Sequence, residues 1–209
     1  MSSVRSMQWI IILTVILIIT AGGAVVVFAS TGEDTGAVEA ETHILKFDVS
    51  EDMSRFVFDQ SVVFEEDGMP AYGNSFITQG YIYEYGAIDA TSGVLPNGEP
   101  EFPEKVIGEW TCRGYFVGDG AHTTSGPMVI TTQLYNFGDE LGVETLVTEG
   151  YELAEIDVAI TRAITGGTGQ YVGAAGEAHQ TFLGFNATEG VNLRLEIDLE
   201  TGSVLALAK

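Results

Sequence analysis

VNLRLEIDL, residues Val191–Leu199, alternates without a break: Val191, Leu193, Leu195, Ile197 and Leu199 are apolar, and Asn192, Arg194, Glu196 and Asp198 lie between them. Successive side chains of an extended chain point to opposite faces, so a period of two puts the aliphatic residues on one face and the charges on the other. A helix would scatter both sets around its axis. The segment is therefore read as a strand with one face in a core and the other in water, the usual condition of an antiparallel sheet.

The same period recurs elsewhere in the chain. In Trp110–Val117, Trp110, Cys112, Gly114 and Phe116 share one face, with Thr111, Arg113 and Tyr115 on the other. Tyr81, Tyr83 and Tyr85 line one side of another strand. Further strands are expected over Ile44–Val49, Arg55–Phe64, Met128–Phe137, Val143–Leu153, Val158–Thr165 and Glu177–Phe185, separated by Gly, Asn and Asp clusters. After residue 42 no stretch carries an amphipathic helical stripe with caps. An open sheet of about eight strands would expose two edges, and closing it removes both. The expected fold is all-β: an eight-stranded antiparallel β-barrel preceded by one N-terminal hydrophobic helix.

That helix is expected in residues 1–29. Trp9–Phe28 reads WIIILTVILIITAGGAVVVF, uncharged throughout, with Arg5 before it and Glu33 and Asp34 after it. At about 1.5 Å per residue the run can cross a hydrocarbon core of about 30 Å, and the flanking charges keep its N-terminus cytoplasmic. It serves either as an uncleaved anchor or as a signal cleaved near Ala29; its length favours the anchor. Residues 30–42 are small and acidic, a linker. The domain, residues 43–209, is thus expected to be extracytoplasmic.

Across 209 residues there are 8 Lys and Arg against 30 Asp and Glu, a net charge of -22. A surface this acidic repels phosphate backbones, which excludes nucleic acid as a partner. Cys112 is the only cysteine, so no internal disulfide forms, and His43, His122 and His179 show no metal-ligand spacing with it. No metal or other cofactor is expected. The glycine run within AITGGTGQYVGAAGE, Ala163–Glu177, has the spacing G-x-G-x-x-x-G, no following helix and no P-loop lysine, so it reads as a tight turn rather than a nucleotide loop. Asn186, Ala187 and Thr188 form a glycosylation sequon.

Three of these stretches carry a family resemblance. Gly166, Gly167, Thr168 and Gly169, followed by Tyr171 and Ala174–Gly176, resemble the glycine turn of allene oxide cyclases and dirigent proteins; Ala163, Ile164 and Thr165 precede it as in the cyclases. TQGYIY, Thr78–Tyr83, looks like the dirigent strand with its Gln-Gly-aromatic centre, and NFGDE, Asn136–Glu140, like a cyclase turn. The matches fall in family order and span His43–Leu199. The resemblance implies an eight-stranded barrel around a ligand cavity, often trimeric, with a small apolar ligand as partner. It also implies a catalytic carboxylate on the first strand and a cysteine on a later one, which by order are Asp48 and Cys112. The chain departs from the cyclases in having Asp at 48 where they have Glu, Ser50 where they have Asn, and no matching Ser-Pro pair. These departures set it apart from the allene oxide reaction itself.

Asp48 shares a face with Lys46 and Ser50, whereas Phe47 and Val49 hold the other, so its assignment requires that the apolar pair not be the one facing inward. Tyr81, Tyr83 and Trp110 are the expected ligand-binding residues; the tyrosine stripe reads equally well as core or subunit packing, and Cys112 as a small buried hydrophobe. Two classes of function follow. One is a cyclase-like or dirigent-like protein that directs the stereoselective ring closure of a small apolar substrate. The other is a non-catalytic ligand-binding or structural envelope barrel. A carboxylate deep in an apolar pocket would favour the first.

Overall fold

A computed structural model describes residues 42–200. The expected membrane segment, nearly all of the acidic linker and residues 201–209 lie outside them. Among the described residues no helix is long and apolar enough to cross a membrane.

The alternating stretches form eight strands: β1 (Thr42–Phe58), β2 (Ser75–Glu84), β3 (Val106–Phe116), β4 (Pro127–Phe137), β5 (Thr145–Leu153), β6 (Ala159–Gly167), β7 (Gly176–Phe185) and β8 (Val191–Glu200). Each pairs antiparallel with the next, and β8 returns to β1, closing the barrel. The alternating Val191–Leu199 stretch seals it: Leu193, Leu195 and Ile197 of β8 oppose Val49, Phe47 and Leu45 of β1.

Ile44–Val49 and Arg55–Phe64 are not separate strands; β1 runs through both and ends at Phe58, with its register against β2 shifting between Asp52 and Val57. The chain leaves the sheet at Asp59, whose carboxylate accepts the N–H (2.8 Å) and hydroxyl (2.6 Å) of Ser61, a local turn that competes with the ladder.

Inside, one end of the barrel is filled by Phe47, Phe137, Leu146, Tyr171 and Leu199, with Phe47 edge-on to Tyr135 and Phe137 at 5.0 and 5.4 Å between centroids. The side chains of Trp110, Gln133, Tyr135, Thr148 and Gln180 are joined there by hydrogen bonds into one buried network. At the other end, Phe56 stacks on Phe76, and Phe76 packs on Phe116, at 5.5 and 5.2 Å.

Candidate functional site

The first-strand carboxylate of the sequence reading lies outside the barrel. Phe47 and Val49 are fully buried in the interior cluster, so Asp48 between them faces outward. It is nonetheless buried, because the β2–β3 connection folds over it. Its carboxylate accepts two hydrogen bonds from Arg194, at 2.9 and 3.0 Å, and one from the Gly86 N–H at 2.8 Å. This is a bidentate ion pair that fastens a loop. Arg194 also pairs with Asp89 and stacks on the Tyr85 ring. The structure therefore does not bring Asp48 and Cys112 to a shared cavity.

Tyr81 and Tyr83 share that outer side. On β2 it is Ile82 that enters the core. The Tyr83 hydroxyl donates to Gly93 O and that of Tyr81 to Gly98 O, both in the same β2–β3 connection, so the two rings anchor it rather than line the interior.

Trp110 and Cys112 do face inward, at 1% and 2% exposure. Around them lies what the sequence reading missed. Glu51 has the same parity as Phe47 and Val49, and Glu152 the same parity as Leu146 and Thr148. Both carboxylates point into the barrel and line a cavity of about 70 Å³ with Thr78, Trp110, Cys112, Phe56, Phe76, Phe116 and Val129. The readable signal was an acid on the apolar face of its strand. It was obscured because the β1 register shifts soon after, between Asp52 and Val57, which breaks the alternation.

Glu152 sits in a dense network. It accepts hydrogen bonds from Thr131 Oγ1 (2.5 Å), Gln180 Nε2 (2.9 Å) and Cys112 Sγ (3.8 Å), and Arg162 Nη1 lies 3.8 Å away. Arg162 is buried and inward-facing on β6; it donates to Thr148 Oγ1 and to the carbonyls of Thr131, Gly150 and Tyr151. Gly150 makes room for it: a Cβ there would press to 3.3 Å on the Arg162 side chain. The network continues through Gln133, which donates to Gln180 and accepts from Trp110 Nε1 and the Tyr135 hydroxyl. A guanidinium and several donors thus surround Glu152, the partners a buried carboxylate requires.

Glu51 has no such support. The one hydrogen bond formed to its carboxylate is from the Val191 N–H at 2.8 Å. Burial pushes its pKa up to about 7, and the charges of Glu152 and Asp52 add to the rise; the Val191 N–H and the nearby Thr78 hydroxyl oppose it. The Thr78 hydroxyl lies close to Glu51 but makes no formed hydrogen bond, and it is buried without a partner. Cys112 is held as a neutral thiol, its pKa raised chiefly by burial and then by the Glu152 charge.

The backbone beside Glu51 is fixed from two sides. Gly80 opposes it on β2, where a Cβ would strike Ser50 O at 2.3 Å, so only glycine lets β1 pass this close. Asn186 Nδ2, the nitrogen that the sequon marks for glycosylation, donates to Glu51 O at 2.7 Å. Among the described residues no cluster of three His, Cys, Asp or Glu side chains is placed to hold a metal ion.

The site thus pairs a carboxylate anchored by hydrogen bonds and a guanidinium with one that changes protonation near neutrality, in a pocket with an aromatic wall. Such a pair can donate, accept or electrostatically complement a proton or positive charge.

No protein-family model matches the sequence, and no curated protein matches it by sequence. Solved structures do match in fold. The pterocarpan synthase dirigent protein GePTS1 superposes with a TM-score of 0.52 at 16% identity, covering 82% of this chain and 96% of its own. A second pterocarpan synthase dirigent protein, PsPTS1, gives 0.51 at 19% identity, covering 77% and 95%. A pyocyanin demethylase gives 0.46 at 16% identity, covering 75% and 99%. The chain has the dirigent-type barrel fold.

Proposed function

We propose that the barrel binds a small, largely apolar molecule at its aromatic-walled end and directs its ring closure or isomerisation, with Glu51 as the proton-handling group. The observation that carries this is Glu51 itself: a buried carboxylate, tuned close to neutral pH, at the edge of a cavity whose other walls are mostly apolar. Protonated, it donates a proton to the substrate; ionised, it takes one back. The rings of Phe56, Phe76 and Phe116 supply the shape that would select one substrate conformer, and holding reactants in one geometry accounts for much of the rate in such reactions. The occurrence of this fold in proteins described as pterocarpan synthases supports a ring-forming role, although fold alone does not assign one. The enclosed volume of about 70 Å³ admits only part of a substrate, so the remainder lies across the mouth.

The reading includes export, supported by the uncharged Trp9–Phe28 run, and assembly into homo-oligomers. Assembly is supported by the outward-facing Ile77, Tyr115 and Tyr151, each about half exposed.

The test is native mass spectrometry of the protein purified from its host, beside a Met128→Trp variant, in which a large ring replaces a side chain that also lines the cavity. A small molecule should accompany the wild type and be lost from the variant, with the circular dichroism of the two unchanged. A wild type carrying nothing, or a variant that retains the molecule, would overturn the reading.

A further inference from the structure

We infer that the molecule taken by this cavity is an amphiphilic organic cation: an ammonium head seated between Glu51 and Glu152, with an apolar body laid against Phe56, Phe76 and Phe116. The inference rests on the proposed function in taking this cavity as the binding site, and adds the chemical class of the occupant.

Three observations support it. The first is a charge imbalance. Among the described residues that face the barrel interior, the charged side chains are Glu51, Glu152 and Arg162, two acids against one base, and Arg162 is already committed to Glu152 and to carbonyl and hydroxyl oxygens. An isolated buried carboxylate is strongly disfavoured, so Glu51 must either hold a proton or meet a cation. The second is the Thr78 hydroxyl, 1% exposed, lining the cavity and without a hydrogen-bond partner. Its lone pairs can accept from an ammonium N–H, as can those of Glu51. The third is the wall. Phe56 and Phe76, which stack, and Phe116, which tilts against Phe76, offer π faces that attract a cation and apolar area that holds its hydrocarbon body. An anionic ligand would meet two carboxylates, and a neutral hydrocarbon would leave the polar floor unmatched. The net charge of -22 further enriches cations near the molecule.

Binding would exchange one charge for another: as the ammonium enters, Glu51 releases its proton to solvent. The ionisable and charged groups around Glu51 are Glu152 on β5, Asp52 on its own strand and Cys112 on β3, with Arg162 on β6 behind Glu152. Arg162 already faces Glu152 and Cys112 is held as a thiol, whereas Glu51 has no cation beside it, so Glu51 is the group that changes. Below about pH 7 the cation competes with a proton, and its affinity should fall up to tenfold per pH unit.

The experiment uses the full-length protein and two probes of matched shape, benzylammonium and benzyl alcohol, titrated calorimetrically at equal ionic strength. At pH 8 benzylammonium should bind at least tenfold more tightly than the alcohol. At pH 6 its binding should release close to one proton, read from the dependence of the heat on the buffer's ionisation enthalpy. The Glu51→Gln variant should lose the preference. The proton count needs only the wild type, so the test stands even if that variant folds poorly. Equal affinity for the two probes, or cation binding without proton release at pH 6, would overturn the cation assignment while leaving a ligand cavity in place. Failure of both probes to bind would overturn the cavity reading as well.

Discussion

Replacing Glu51 by Gln tests the central electrostatic claim through stability, independently of any ligand. The folded pKa of Glu51 is about 7 against an ordinary 4.5. The folded state therefore holds this proton more tightly than the unfolded chain. For an acid raised in this way, the protonated site contributes its full stability below the unfolded value, and that contribution is lost as pH rises from about 4.5 through 7. The shift corresponds to roughly 3 kcal/mol at about 1.4 kcal/mol per pKa unit. Glutamine keeps the shape and an oxygen for the Val191 N–H, offers N–H donors to the unpartnered Thr78 hydroxyl, and carries no charge at any pH. The variant should match the wild type to within about 1 kcal/mol at pH 5 and exceed it by about 3 kcal/mol at pH 8. Urea denaturation of both proteins at the two pH values, at fixed salt, reads the difference directly. In a domain of this size it corresponds to about 6 to 12 °C in melting temperature. If the variant has the same stability relative to the wild type at both pH values, Glu51 does not titrate between them, and the role assigned to it falls.

Arg162→Met leaves Glu152 buried without its cation and should cost about 3 to 5 kcal/mol by urea denaturation at pH 7, with Glu152→Gln added to the same chain restoring a large part of the loss. Equal losses in the single and double variants would remove the pairing. Cys112, buried and held as a thiol, should react with a water-soluble disulfide reagent at pH 8 at least a hundredfold more slowly in the native protein than in guanidinium; a native rate near that of a free thiol would contradict the interior placement. A chain beginning at residue 42 should show a β-rich far-ultraviolet circular dichroism spectrum, since every strand of the closed barrel lies beyond that point; a disordered or helical spectrum would refute independent folding. Native protein should be found on the far side of the membrane with an intact mass that includes Met1. A mass beginning at Ser30 would refute retention but not export, and cytoplasmic protein would refute both.

Alternation alone carried the fold. A chain that places apolar residues at every second position can bury them only as a strand, and eight such runs with polar turns between them close most economically into a barrel, as the pairing of β8 with β1 shows. The same parity placed Trp110 and Cys112 inward. It also contained the case against Asp48, whose neighbours Phe47 and Val49 had the stronger claim to the core. Family order pointed to Asp48, but parity was the better guide, because the desolvation of Phe and Val outweighs a resemblance in sequence order.

Two things had to come from tertiary structure. Local sequence does not show that the β2–β3 connection lies back over the outer face, turning Asp48, Tyr81 and Tyr83 into its fastenings; that depends on contacts between distant segments. Nor does it show that Glu51 and Glu152 share a cavity while Arg162 serves only one of them. Periodicity assigns each side chain to a face. Barrel closure and the register shift of β1 between Asp52 and Val57 decide which residues on that face meet, and so which acid has a cation beside it and which does not.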